Sequence, residues 1–176
     1  MTRLHLFAAL AAALTIAAAI AAPASLADGS PTVPHRFSGG GSETVPGFVH
    51  CNGFDIGLST TGSFEGAVYF DQNGEVVKAI VHNEARDVLT NSVTGKVVVN
   101  RGEFQEMFTR IEGTYDFLHQ LVGYRFMANS PGQGVVIQDV GRILYAPNES
   151  AIIAQAGQHH VPDGPEAEAV FCAALS

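Results

Sequence analysis

Gly74-Glu-Val-Val-Lys-Ala-Ile-Val-His-Asn-Glu-Ala-Arg-Asp-Val-Leu-Thr90 decides the fold class. Val77, Ala79 and Val81 fall on one side of an extended chain, and Lys78, His82 and Glu84 on the other. That is the period of two expected of a half-buried strand, not the 3.6 of a helix. Working outward, runs rich in Val, Ile, Phe, Tyr and Thr occupy residues 54 to 60, 63 to 70, 75 to 90, 96 to 111, 114 to 128, 134 to 145 and 151 to 156. Turn signals separate them at Thr60-Thr-Gly62, Asp71-Gln-Asn-Gly74, Asn91-Ser-Val-Thr-Gly95, Glu112-Gly113, Asn129-Ser-Pro-Gly-Gln-Gly134 and Ala146-Pro-Asn-Glu-Ser150. Short connections make sequential strands antiparallel neighbours. The expected fold is therefore all-β, an antiparallel up-and-down barrel of seven to eight strands closed by one disulfide. The eighth strand would come from a break in the run 75 to 90 near Asn83 to Arg86. A two-sheet β-sandwich of the same strands is the alternative.

The N-terminus reads as an export signal. Arg3 lies in a short leading region, Phe7 to Ala22 is Ala- and Leu-rich, and Ser25-Leu-Ala27 offers the small residues of a cleavage site after Ala27. Residues 28 to 47, poor in apolar side chains and containing Ser38-Gly-Gly-Gly-Ser42, read as a disordered linker. Residues 48 to 176 form the β domain, with a loop from Gln158 and a short helical stretch over 166 to 174. In an exported protein Cys51 and Cys172, the two cysteines of the chain, most simply form one disulfide. Buried free thiols are the alternative. Closing a loop of 121 residues would be worth about 4 to 5 kcal/mol on the chain-entropy model.

The formal net charge of −8 falls by one more unit when Arg3 is removed. With no basic patch or Arg-rich stripe, nucleic acid and anionic membrane surfaces are not expected partners. No apolar run beyond the signal is long enough to span a bilayer. A secreted or otherwise extracytoplasmic domain is expected.

Asp139 is the leading candidate for chemistry. It shares a strand face with Val135, Ile137, Gly141 and Ile143, and an inward carboxylate would be a general acid or base if unpaired. The structural reading pairs it with Arg125, Arg142 or backbone donors. His119 and Arg125 share a face, as do His82 and Glu84. Either pair could set an imidazole beside another polar group at a pocket mouth, which makes His119 and Arg125 catalytic candidates beside Asp139; alternation alone favours the solvent side for both pairs. His159-His160 with Asp163 and His50 resembles a ligand set, but adjacent histidines on an extended chain point to opposite sides. No metal and no cofactor is expected. Nucleophile elbows, dinucleotide fingerprints, P-loops and zincin motifs are absent. Phe104, Phe108, Tyr115, Phe117, Tyr124 and Phe126 are candidates to line a binding interior. Tyr115 and Phe117 have the opposite parity to Tyr124 and Phe126, unless a bulge intervenes near Gly123.

Cys51-Asn-Gly-Phe-Asp55, Asp71-Gln-Asn-Gly74, Thr90-Asn-Ser-Val-Thr-Gly-Lys96, Gly132-Gln-Gly-Val-Val-Ile-Gln-Asp-Val-Gly-Arg-Ile143 and Phe171-Cys-Ala-Ala-Leu175 resemble a group of small exported actinobacterial proteins. That resemblance implies location and domain bounds, without an activity. In architecture the expected barrel is similar to the allene oxide cyclase and dirigent type and to lipocalins, a likeness of shape. No catalytic motif of those families is matched here, and the lipocalin Gly-x-Trp signature fails because the chain has no Trp. The expected function is non-enzymatic: binding of a small, partly apolar molecule or of a cell-envelope partner. An isomerase or cyclase using a polar group in the barrel pocket is the competing expectation. A purely structural or protein-interaction domain is the third.

Overall fold

The computed structural model describes residues 34–159 and 165–176, so the export signal lies outside the described residues. Seven strands follow in order: β1 (His35–Cys51), β2 (Phe54–Phe70), β3 (Val76–Asn91), β4 (Val97–Arg110), β5 (Phe117–Ser130), β6 (Gly134–Tyr145) and β7 (Ile152–His159). A one-turn 3-10 segment, Pro147–Glu149, lies in the β6–β7 connection, and the helix α1 spans Pro165–Leu175. The strands form one antiparallel sheet in sequence order, the meander that the short connections dictate.

Three expectations are corrected. The sheet is not closed; β1 and β7 are its edges, each hydrogen-bonded to one neighbour. One sheet also replaces the two of the sandwich. Second, β3 runs unbroken through Asn83 to Arg86, paired on both sides, so it supplies no eighth strand. Of the polar residues that resemble a break, Asn83 points inward and Glu84 and Arg86 are exposed, the alternation of a continuous strand. Third, residues 35–47, expected in the linker, belong to β1. Their glycines are covered from the next strand. Phe64 lies over Gly39 and Phe37 over Gly66, so a Cβ at Gly39 would sit 2.5 Å from the Phe64 ring and one at Gly66 2.6 Å from Phe37. The register places these pairs opposite each other, an aromatic-over-glycine arrangement that lets a Gly-rich segment hold a strand.

The apolar core sits at one end of the inner face. Ile56, Leu58, Leu89, Val98, Ala128 and Ile137 pack there with Val49, and α1 covers them with Phe171, Ala174 and Leu175. The helix starts with Pro165 in its first turn and Glu166 and Glu168 near its N-terminus, which suits fixed φ and the helix dipole. Ala167, Phe171, Ala174 and Leu175 recur at helical spacing and are buried. Two further ties hold it. Cys172 is bonded to Cys51 at the end of β1, and Asn91 Nδ2 donates to the Leu175 carbonyl at 2.9 Å. The disulfide indicates an oxidising, extracytoplasmic setting. Among the described residues no helix is long and apolar enough to cross a membrane.

Candidate functional site

Away from the helix the inner face changes character. Asn83, Asp87, Asn100, Glu106, His119 and Asp139 are all buried there. Buried polar groups need partners, so each shows what it is for. Asp87 accepts from Thr60 Oγ1 at 2.6 Å and from Asn100 Nδ2 at 2.9 Å, and Asn100 Oδ1 accepts from the Met127 backbone N–H. That group is satisfied and ties β2 to β5. It is structural.

His119 is different. The register sets Phe108, His119 and Tyr145 side by side on β4, β5 and β6. The imidazole stacks between the two rings, with centroids 4.4 Å from Phe108 and 5.2 Å from Tyr145. Nδ1 meets Glu149 Oε1 at 2.9 Å. Nε2 lies 3.3 Å from Glu106 Oε1 but has no hydrogen-bond partner. Glu106 is held from its other oxygen by Asn83 Nδ2 at 3.0 Å.

Asp139 forms the second cluster. Arg125 donates to its Oδ2 through Nε and Nη2, both at 2.8 Å, and His159 Nδ1 meets Oδ1 at 2.6 Å. The aspartate is thus paired, in agreement with the structural reading of its burial. Arg125 sits in a bulge between Tyr124 and Phe126, its guanidinium carbon 5.4 Å from the Phe126 ring centre, a cation–π distance. Between the clusters Gly123, Gly141 and Gly157 stand in register across β5, β6 and β7. At Gly141, φ is +146° and an added Cβ would lie 2.1 Å from the Ala156 carbonyl oxygen. The sheet bends there in a way side chains would forbid.

Both clusters act on Tyr145. Burial is the main cause that pushes its hydroxyl above the usual tyrosine range; Arg125 opposes the shift, while Glu149 and Asp139 add to it. His119 therefore stacks on this phenol ring, and Arg125, Glu149 and Asp139 act on its hydroxyl. The chain matches no family model, no curated protein and no solved structure. The site must therefore be read from its own chemistry.

The burial of His119 corrects its expected place on the solvent side. The bulge at Arg125 shifts the face: His119 and Leu121 point inward before it, and Ala128 and Ser130 after it. Val122 is the exposed neighbour. Phe108 and Phe126 therefore both belong to the inner face, the first stacked on His119 and the second packed against the core. Phe104 pairs with Gly123 and Phe117 with Arg110, both half-buried. Tyr124 points outward and donates to Glu103 Oε2 at 2.6 Å; that bond is the main cause that raises its hydroxyl pKa. Tyr115 lies in the β4–β5 turn and is 81% exposed. Neither tyrosine joins the His119 group. His82 and Glu84, 3.8 Å apart, border an open cavity of about 470 Å³ with Ser38, Gly39, Ser63, Phe64 and Glu65.

Among the described residues no group of three or more His, Cys, Asp or Glu side chains is placed to hold a metal ion; His160 and Asp163 lie outside the described residues. Sequence reasoning passed over Glu106, Glu149, Tyr145 and the role of His159. Glu106 carried a usable signal, because it shares parity with Phe104 and Phe108. Glu149 carried none, since its connection has no periodicity.

Proposed function

We propose that this protein is an exported small-molecule-binding domain, released by cleavage after Ala27, that takes a partly apolar ligand on the polar half of its inner face. The observation that carries this is His119: a buried imidazole fixed between two aromatic rings, whose Nε2 lies 3.3 Å from Glu106 but makes no hydrogen bond. Leaving such an atom unsatisfied costs about 1 to 3 kcal/mol, which a bound acceptor or donor would return. The six expected lining aromatics reduce to Phe104, Phe108, Phe117 and Phe126, with Tyr145 added.

An isomerase or cyclase is the second reading. The buried His119, with Glu106 and Glu149 on its two nitrogens and Tyr145 against its ring, favours it, since general acid–base work needs such groups within reach of one substrate.

Native mass spectrometry of residues 28–176 from the export compartment tests the proposal, alongside the His119→Phe variant. Phenylalanine keeps the stacked ring and removes both nitrogens. A ligand mass on the wild type that is lost in a variant of unchanged or higher stability is the expected result. Bare protein in both, with His119→Phe markedly less stable, would make His119 a structural residue and overturn the reading.

A further inference from the structure

Glu149 is an unusual partner for His119. The histidine side chain is 8% exposed, yet the carboxylate on its Nδ1 comes from a residue that is 59% exposed. Among the described residues Glu149 is also the one non-glycine with positive φ, at +55°. L-residues with longer side chains avoid that region, and strained backbone of this kind gathers at functional sites. The connection that carries it is tied at its base. Ala146 N–H donates to the Ala151 carbonyl at 2.8 Å, closing a neck between β6 and β7. Pro147 to Ser150 protrude beyond that neck, held by bonds inside the turn: Glu149 N–H to the Ala146 carbonyl at 2.9 Å, and Ser150 N–H and Oγ to the Pro147 carbonyl.

We infer that Glu149 occupies, from within the chain, the place of a ligand's carboxylate. The inference rests on the small-molecule reading and names the ligand class: a partly apolar molecule bearing one carboxylate. The imidazole does not need Glu149 to hold its orientation, because Phe108 and Tyr145 fix the ring on both faces. Its Nδ1 is therefore a preset donor. Glu106 and Asp139 face the same region, but Asn83 occupies the first, and Arg125 and His159 occupy the second. Exchange of the Glu149 carboxylate for a ligand carboxylate leaves the charge balance around His119 unchanged. A neutral ligand would not replace the lost charge.

The test uses 2-naphthoate and 2-naphthamide, which share one apolar body and differ in charge, with calorimetry on the exported protein. Wild type is expected to bind the carboxylate in preference to the amide. Glu149→Gln keeps the size of the side chain and removes the competitor, so naphthoate affinity rises about tenfold while naphthamide affinity stays put. His119→Phe abolishes the preference. Naphthoate binding that is unchanged or weakened in Glu149→Gln overturns the inference. If naphthoate and naphthamide bind equally, the inference fails and the small-molecule reading stands. If neither binds to either form, both fail.

Discussion

At Gly141 an added methyl group would lie 2.1 Å from the Ala156 carbonyl oxygen and 2.9 Å from Gly157 Cα, with φ at +146°. Two backbones would have to move, and neither is the flexible end of a side chain. Gly141→Ala is expected to cost about 2 to 4 kcal/mol, from overpacking together with an unfavourable backbone region. Urea unfolding followed by circular dichroism measures this; a loss under 1 kcal/mol would show that the bend tolerates a side chain. The bend matters to function because it lies between His119 and Asp139. The residue scale is also where sequence reading was least complete. Asp139 was legible, since it shares parity with Ile137 and Ile143. His119 was placed on the wrong face, because alternation carried from Leu118 to Phe126 cannot show that one residue, Arg125, is extra.

Asp71 governs the hairpin between β2 and β3. Its Oδ1 accepts the backbone N–H of Asn73 and of Glu75, both at 2.9 Å. Arg110, at the end of β4, bridges Asp71 Oδ2 and Glu75 Oε2 at 2.8 Å each, so the turn is locked to a third strand. The backbone N–H of Glu75 is the main cause that holds the Asp71 carboxyl below its usual value of 3.8, with Arg110 next. A depressed carboxylate stabilises the fold above its ordinary value, and that stability is lost as pH falls through the lower, folded value. Asp71→Asn is therefore expected to flatten the acid limb of the stability curve below about pH 4 and to lower stability at pH 7. Parallel limbs in wild type and variant would refute this. The turn itself was legible as Asp71-Gln-Asn-Gly74; the Arg110 bridge was not, because it spans 39 residues. The first strand was missed for a related reason. Ser38 to Ser42 has a linker's composition, and what makes it a strand, Phe64 over Gly39, comes from another element.

Over the whole molecule the Cys51–Cys172 bond joins the end of the first strand to the closing helix across 121 residues. It is expected to supply about 4 to 5 kcal/mol if chain entropy dominates. The Cys51→Ser, Cys172→Ser double variant should unfold at markedly lower urea. It should also bind a hydrophobic dye before unfolding, as α1 lifts from Leu58, Leu89 and Val98. A dye signal that appears only with global unfolding would mean the helix stays seated without the bond. The sequence by itself determined the all-β class, the antiparallel order of β3 to β7 and this disulfide: period-two alternation, short turns and two cysteines leave little choice. Tertiary structure alone decided which face is inner, that β1 and β7 remain edges, and that Glu106, Glu149, Arg125 and His159 gather around His119 and Asp139. The physical reason is that alternation divides each strand into two faces without saying which one is covered. A single bulge then exchanges them, and the partners of a buried charge are chosen by register across strands, which no local pattern records.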